Sequence, residues 1–303
     1  LWLDQPIAIV GAGAVAQALG QLLLRRGAKV VALASRTRHT AERAAKFIGP
    51  TVQVVTITEL PLLARRLLVA TSDNAIEPVA QMLAEAGMST GVALHTCGAK
   101  GPEALGPLRL RGVACGVLHP LQTIVTPEQG ARDLVGVTFG VAGDHDAVEW
   151  AEEIVKGLDG KPLRIKADRL GSYHAAAVMS SNALVAVIDA AVVLMMRAGI
   201  EEQAALKALE PIARASLENI LRLGPRTALT GPIARGDVST VTAHMGALAT
   251  APPAIAALYR AVAEQLLVIS RQRGLPAPTL RALQAAIQSR KVDSVNGEPG
   301  PDN

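Results

Sequence analysis

The chain has 303 residues, half of them apolar and 18% charged, with a net charge of +4. At roughly 100–200 residues per domain, this length suggests two domains with sizeable cores, and the composition excludes a disordered or collagen-like chain. Two cysteines exclude a disulfide framework and point to a reducing cytoplasm, while two each of Phe, Trp and Tyr, with no basic tract, argue against a nucleic-acid partner.

The chain opens on Leu1 and runs straight into a strand-like stretch, with no basic, apolar and small-residue leader. Strands are predicted at residues 6–10, 28–34, 52–57, 66–70, 91–95, 113–118, 135–141 and 161–165. Helical stretches lie between several of them, notably 14–26, 40–47 and 76–86. Continuous apolar strands separated by helices indicate an α/β region, doubly wound and mostly parallel, over residues 1–166. From residue 167 helical patterns follow one another without strands: 172–197, 201–223, 237–248, 253–273 and 279–291. An all-α C-terminal domain is therefore expected over 167–291, with Gly199, Gly224 and Gly274 as C-terminal caps. Residues 292–303, rich in Gly, Pro, Asn and Asp, read as a disordered tail.

The predicted helix 172–197 is apolar nearly all round from Ala183 onward, so it must be buried on several sides. A second copy would bury it most easily, which predicts a homodimer through the helical domain. Its apolar run, 183–196, is interrupted by Asp189 and falls short of the ~20 residues of a membrane span, so no membrane partner is expected.

The strongest motif follows the first strand. Ile7-Ala8-Ile9-Val10 leads into Gly11-Ala12-Gly13-Ala14-Val15-Ala16, a G-x-G-x-x-A turn that opens a helix with Val15, Leu19, Leu22 and Leu23 on one face. The first glycine permits the tight turn, the second lets backbone approach a pyrophosphate, and the small third residue lets helix and strand pack. The helix N-terminus offers free N–H groups to the phosphates. This is the fingerprint of a dinucleotide-binding Rossmann sheet, with Gly11, Ala12, Gly13, Ala14 and Val15 at the cofactor.

The end of the second strand discriminates between cofactors. An acid there would hold the ribose hydroxyls of NAD. The chain instead reads Ala34-Ser35-Arg36-Thr37-Arg38-His39, and a guanidinium fork suits a phosphate dianion. NADP(H) is predicted, with Ser35, Arg36 and Thr37 around the 2′-phosphate. Thr71, Ser72 and Asp73 end the fourth strand, where ligands of such sheets lie; they border the cofactor or cap the next helix.

Over nearly its whole length the chain resembles Rossmann-like proteins that carry a DUF2520 helical domain. The resemblance rests on the N-terminal fingerprint, on His95-Thr96-Cys97-Gly98-Ala99, on Leu118-His119-Pro120-Leu121-Gln122-Thr123, on Tyr173-His174-Ala175-Ala176-Ala177 with Ser181-Asn182, and on Leu229-Thr230-Gly231-Pro232-Ile233-Ala234-Arg235-Gly236-Asp237. It implies membership of a wider group that includes ketopantoate reductase, pyrroline-5-carboxylate reductase and prephenate dehydrogenase. It further implies that His95 and Thr96 border the cofactor and that Cys97 borders the substrate. The family usually has Ser at the Cys97 position, so a hydroxyl role there is in doubt. Cys97-Gly98-Ala99-Lys100 followed by His119-Pro120 is also similar to the prephenate dehydrogenase pattern, in which the His stands near the reacting hydroxyl.

Hydride transfer to a carbonyl or imine needs a proton donor and groups that hold the substrate. His119 is the first choice for general acid or relay, since imidazole titrates near neutral pH; the alternative is a structural His before Pro120. His174, Ser181 and Asn182 are polar residues of an apolar helix. They line the ligand cleft, or they cap, or they bond across a dimer interface. His174 and Asn182 would stand about 12 Å apart along the axis, too far to grip one atom. Thr230 and Arg235 lie in a Gly/Pro loop, Arg235 to bind a substrate carboxylate or to pair with Asp237. His95, Cys97, Cys115, His119 and His174 lack metal-ligand spacing, so no metal is expected.

The expected activity is an NADP(H)-dependent oxidoreductase acting on a small, anionic carbonyl or imine compound. Two alternatives stand beside it. One is hydride exchange with a deazaflavin. The other is an NADP-binding sensor or scaffold without turnover, suggested by Val178 and Asn182 where hydroxyacid dehydrogenases carry Lys and Asn.

Overall fold

The computed structural model describes residues 4–289, so the expected tail at 292–303 lies outside the described residues. Eight strands form one sheet: β1 Ile7–Val10, β2 Val30–Ala34, β3 Gln53–Val54, β4 Arg66–Val69, β5 Val92–His95, β6 Ala114–Pro120, β7 Thr138–Gly143 and β8 Lys161–Arg164. Their order is β3-β2-β1-β4-β5-β6-β7-β8. Neighbours run parallel except β6 and β7, which are antiparallel with His119 opposite Gly140. Strand order reverses between β1 and β4, so the crevice beyond their carboxyl ends is where a doubly wound sheet takes its ligand.

Six helices of seven or more residues accompany the sheet: α1 Ala14–Arg25, α2 Arg38–Ile48, α3 Ile76–Glu85, α4 Pro127–Asp133, α5 His145–Gly157 and α6 Leu170–Ser180. Beyond them follow α7 Asn182–Arg197, α8 Glu202–Leu223, α9 Val238–Leu248, α10 Pro253–Gln272 and α11 Ala277–Gln288. Helices α4 and α5 go beyond the sequence expectation. The signal for α5 was available, because Ala147, Trp150, Ala151 and Ile154 fall on one helical face and are all buried.

Side-chain alternation places two cores on the sheet. Ile7 and Ile9 join Leu33, Leu68, Leu94, Leu118 and Phe139 under α1 and α5. Ala8 and Val10 join Ala32, Leu67, Val69, Ala93 and Cys115 under α3. Each fully buried Leu, Ile or Phe contributes about 1.5–3 kcal/mol. Cover on both faces is the reason these strands read as unbroken apolar runs. Gly20 brings α1 down onto the sheet, since a Cβ there would lie 2.8 Å from Ile9 and 2.7 Å from Ile48.

The structure corrects several expectations. The third strand keeps two residues of the predicted 52–57, because Thr56 and Glu59 form a capping box that turns the chain at Ile57. The single helix expected over 172–197 is two helices. Ser181 leaves helical geometry (φ −125°, ψ −74°), and the hydroxyls of Ser180 and Ser181 both donate to the Ala177 carbonyl, at 3.0 and 2.8 Å. Serine hydroxyls bonded to the preceding turn compete with the helical ladder, which accounts for the break.

The apolar helix is also not buried within the chain. Only Ala190 of α7 and Ala205 of α8 are buried, while Val185 is 70% and Leu221 78% exposed. By length and composition alone, Ala167–Arg197 and Pro253–Gln272 are long and apolar enough to cross a membrane, a wider span than the run 183–196 weighed in the sequence.

The described chain forms two compact units that divide between Ser181 and Asn182. The expected division fell at 166/167. Helix α6 belongs to the first unit because Leu170 and Tyr173 pack with Val117 and Ala142 of the sheet. The second unit is helical; its core joins Val241 of α9, Leu267 of α10, and Leu283 and Ile287 of α11. Gly199, Gly224 and Gly274 hold the positive φ expected of caps, at 86°, 76° and 87°.

Candidate functional site

A groove of about 1090 Å³ runs along the carboxyl ends of β1, β2 and β4. The Gly-rich turn forms one wall. Gly11 has φ 124°, and a Cβ there would lie 2.1 Å from the Ala70 carbonyl oxygen, so only glycine fits. Gly13 differs: its φ is −75°, and a Cβ would meet nothing within 4 Å. Glycine there leaves open space directly before the first turn of α1. That turn carries no acidic residue, and its leading N–H groups have no intrahelical acceptor. An anion fits this end of the groove.

At the end of β2 the loop gathers hydroxyls. Thr40 Oγ1 lies 2.7 Å from Ser35 Oγ and 2.8 Å from Thr37 Oγ1, and Thr37 caps α2 by accepting from the Thr40 N–H. Arg38 is engaged by Glu42 at 2.8 Å, whereas Arg36 forms no ion pair among the described residues and lines the groove. Ser35, Arg36 and Thr37 all line the groove. Thr40, Thr56 and Thr58 line the same groove and were missed by the sequence reading. Thr40 had a signal, as the third residue after the capping Thr37.

Thr71, Ser72 and Thr96 also line the groove. Asp73 lies one residue beyond, in a 3-10 turn, and its carbonyl accepts from Lys100 Nζ at 2.7 Å. Neither Ser72 nor Asp73 caps the helix through its side chain, so the capping alternative is not realised.

His95 departs from its expected place at the cofactor. It is fully buried, and both ring nitrogens are engaged. Nδ1 accepts from the Cys97 N–H at 3.2 Å, so Nε2 carries the proton and donates to the Gly101 carbonyl at 2.9 Å. Burial holds this imidazole below its ordinary pKa. Its geometry is that of an anchor, fastening the loop that presents Thr96 and Gly98. Cys97 is buried as well, and burial pushes its thiol up, so it is no ready nucleophile. Burial pushes Cys115 further, to about 12.

His119 sits near the end of β6 with its ring on Gly98, where a Cβ would meet three ring atoms at 2.8 Å. Its Nδ1 is 2.9 Å from the Tyr173 hydroxyl. The Tyr173 and His174 rings both meet it edge-on, with centroids at 5.5 and 5.7 Å. Burial, and then the neighbouring His174, push its pKa down to about 4. His119 is therefore neutral near pH 7, which changes the chemistry expected of it. It can donate or accept a hydrogen bond, but it holds no spare proton as an acid.

The remaining expected residues are placed as follows. Ser181 ends α6 with its hydroxyl on the Ala177 carbonyl, and Asn182 opens α7 in the second unit. Thr230 and Arg235 are exposed in the second unit. Asp237 caps α9, accepting from Thr240 N–H at 3.0 Å and from the Thr240 and Ser239 hydroxyls. Those bonds occupy Asp237, and among the described residues Arg235 makes no direct ion pair with it.

Residues 4–120 match a Rossmann-like domain family, and residues 137–266 match DUF2520, a domain of unknown function. No curated protein matches the sequence. Among solved structures the chain is similar to a candidate NADP oxidoreductase of Bacteroides fragilis (TM-score 0.69, 23% identity, 90% of this chain and 98% of that one). It is also similar to Plasmodium falciparum pyrroline carboxylate reductase with NADP bound (0.58, 10%, 94% and 98%). A third likeness is to an imine reductase from a Pseudomonas species (0.57, 19%, 93% and 92%). At these identities the likeness is one of fold.

Proposed function

We propose, from the premise that this chain joins a Rossmann-like domain to a DUF2520 domain, that it is an NADP(H)-dependent oxidoreductase. Its substrate on this reading is a small, anionic carbonyl or imine compound. The observation that carries the reading is the groove, lined by an anion-ready glycine turn on one wall and, at the end of β2, by hydroxyls and Arg36, which forms no ion pair among the described residues.

Gly11, Gly13 and the first turn of α1 would hold the pyrophosphate through backbone N–H groups. Ser35, Arg36, Thr37 and Thr40 would hold the 2′-phosphate, with Arg36 as the charged partner. Thr71, Ser72 and Thr96 would border the ribose and nicotinamide. When bound, the nicotinamide supplies or accepts the hydride. His119, neutral and set edge-on to the Tyr173 and His174 rings, would bond the reacting heteroatom through Nε2.

The similar structures support this class, since they include a pyrroline carboxylate reductase with NADP bound and an imine reductase. The two buried, unpaired thiols support a cytoplasmic setting. The exposed apolar faces of α7 and α8 support a homodimer, in which a second copy covers Val185 and Leu221.

The test is a thermal-shift panel with NADPH present, covering branched 2-oxo acids, cyclic imines and aromatic-precursor acids, then absorbance turnover on each hit. The reading predicts that at least one compound oxidises NADPH, and that His119→Ala abolishes this while NADPH affinity stays within a few-fold. NADPH binding without turnover on any carbonyl or imine would favour a sensor instead.

A further inference from the structure

We infer that Tyr173 is a positioning residue: its hydroxyl donates to Nδ1 of His119 and fixes that ring as the Nε2–H tautomer, a neutral hydrogen-bond donor. The part of this inference that concerns substrate rests on the oxidoreductase reading; the tautomer does not.

The geometry begins with two glycines. The His119 ring lies against Gly98, where a Cβ would meet Cδ2, Cε1 and Nε2 at 2.8 Å. The Tyr173 hydroxyl lies against Gly140, where a Cβ would meet Oη at 2.6 Å. Gly140 is the residue opposite His119 across the antiparallel β6–β7 pair. The two seats come from different strands, and together they bring the rings edge-on with Nδ1 and Oη at 2.9 Å. A larger residue at either seat would separate them.

The direction of the proton follows from the surroundings. Burial pushes the Tyr173 phenol up, so it keeps its proton. A phenol is a stronger donor than a neutral imidazole N–H, and an imidazole nitrogen is a stronger acceptor than a phenol oxygen, so the 2.9 Å bond runs from the Tyr173 hydroxyl to Nδ1. His119 is unprotonated as a cation near neutral pH, so one nitrogen accepts and the other carries hydrogen. With Nδ1 accepting, Nε2 carries it.

A neutral N–H donor selects among substrates. It stabilises an acceptor atom, a carbonyl oxygen or an imine nitrogen, on which negative charge develops during reduction. It takes no proton from a hydroxyl itself, so the proton that completes the reduced product comes from solvent water.

The test is ring nitrogen NMR on the full chain labelled with 15N-histidine, near neutral pH and without added ligand. His119 is assigned by the signals lost in His119→Gln. The inference expects a protonated, pyrrole-like Nε2 and a pyridine-like Nδ1, and it expects Tyr173→Phe to move both toward the averaged shifts of mixed tautomers. A protonated Nδ1 in the unaltered protein would overturn it, as would ring shifts unchanged by Tyr173→Phe. Should Tyr173→Phe fail to fold, the unaltered spectrum decides alone. Because this readout needs neither cofactor nor substrate, its failure is separable from a failure to bind NADPH or to turn over.

Discussion

The α-carbon of Gly11 lies so close to the end of β4 that a side chain would stand 2.1 Å from the carbonyl oxygen of Ala70. This contact sets the turn between β1 and α1 and aims the helix at the groove. Gly11→Ala must move backbone and hold alanine at φ 124°. The expected cost is about 3 kcal/mol or more, read by urea melts. Gly13→Ala should leave stability within about 0.5 kcal/mol and weaken NADPH binding at least tenfold, because its methyl group enters only the open groove. Equal NADPH affinity in Gly13→Ala would show that the pyrophosphate does not pass there.

Arg36 and Arg38 are two residues apart and differ in their partners, since Glu42 holds only Arg38. A charge-assisted bond to phosphate contributes about 1.5–3 kcal/mol. Arg36→Ala should therefore weaken NADPH binding by roughly tenfold to a hundredfold and NADH binding little. Arg38→Ala should change both by less than about threefold. Calorimetric titration of each variant with each nucleotide checks this; parallel losses for NADPH and NADH in Arg36→Ala would contradict the phosphate assignment.

His119 is held at about 4 by burial and by His174 and His95, against an opposing pull from Asp73. His95 is also lowered, chiefly by burial. Between about pH 6.5 and pH 4 the unfolded chain binds protons that the native chain refuses, so stability falls as pH drops through that window. The share from His119 is on the order of 3 kcal/mol, fully present above pH 6.5 and lost below about 4. Denaturant melts of the protein and of His119→Asn across this window should show a shallower decline in the variant. Identical slopes would mean that His119 is not held neutral.

Val185 and Leu221 are large apolar residues left 70% and 78% exposed. If a second copy covers them, sedimentation should find a dimer at micromolar concentration, and Val185→Glu should yield monomer with its helical signal kept. A monomeric unaltered protein would leave the α7 and α8 faces without that partner.

The parts of the site carried by local sequence were legible. Gly11 to Ala16, Ser35 to Thr37 and Thr71–Ser72 each lie within one turn, and the apolar strands gave the sheet because both its faces are covered. What was not legible depends on contacts between distant residues. Nothing in the neighbourhood of His119 announces that Tyr173 will bond it, or that Gly98 and Gly140 make room for both rings. His95 looked like a ligand, because the acceptor at Gly101 and the donor at Cys97 that use up its nitrogens are visible only in the folded loop. The break at Ser181 was hidden for a different reason. An apolar run reads as one helix, and the serine hydroxyls that end it act on backbone.

The most direct measurement is a crystal structure of the protein grown with NADP+. The account predicts the pyrophosphate before the first turn of α1 at Gly13 and the 2′-phosphate among Ser35, Arg36, Thr37 and Thr40. A groove free of nucleotide, or adenine lodged away from β2, would contradict it.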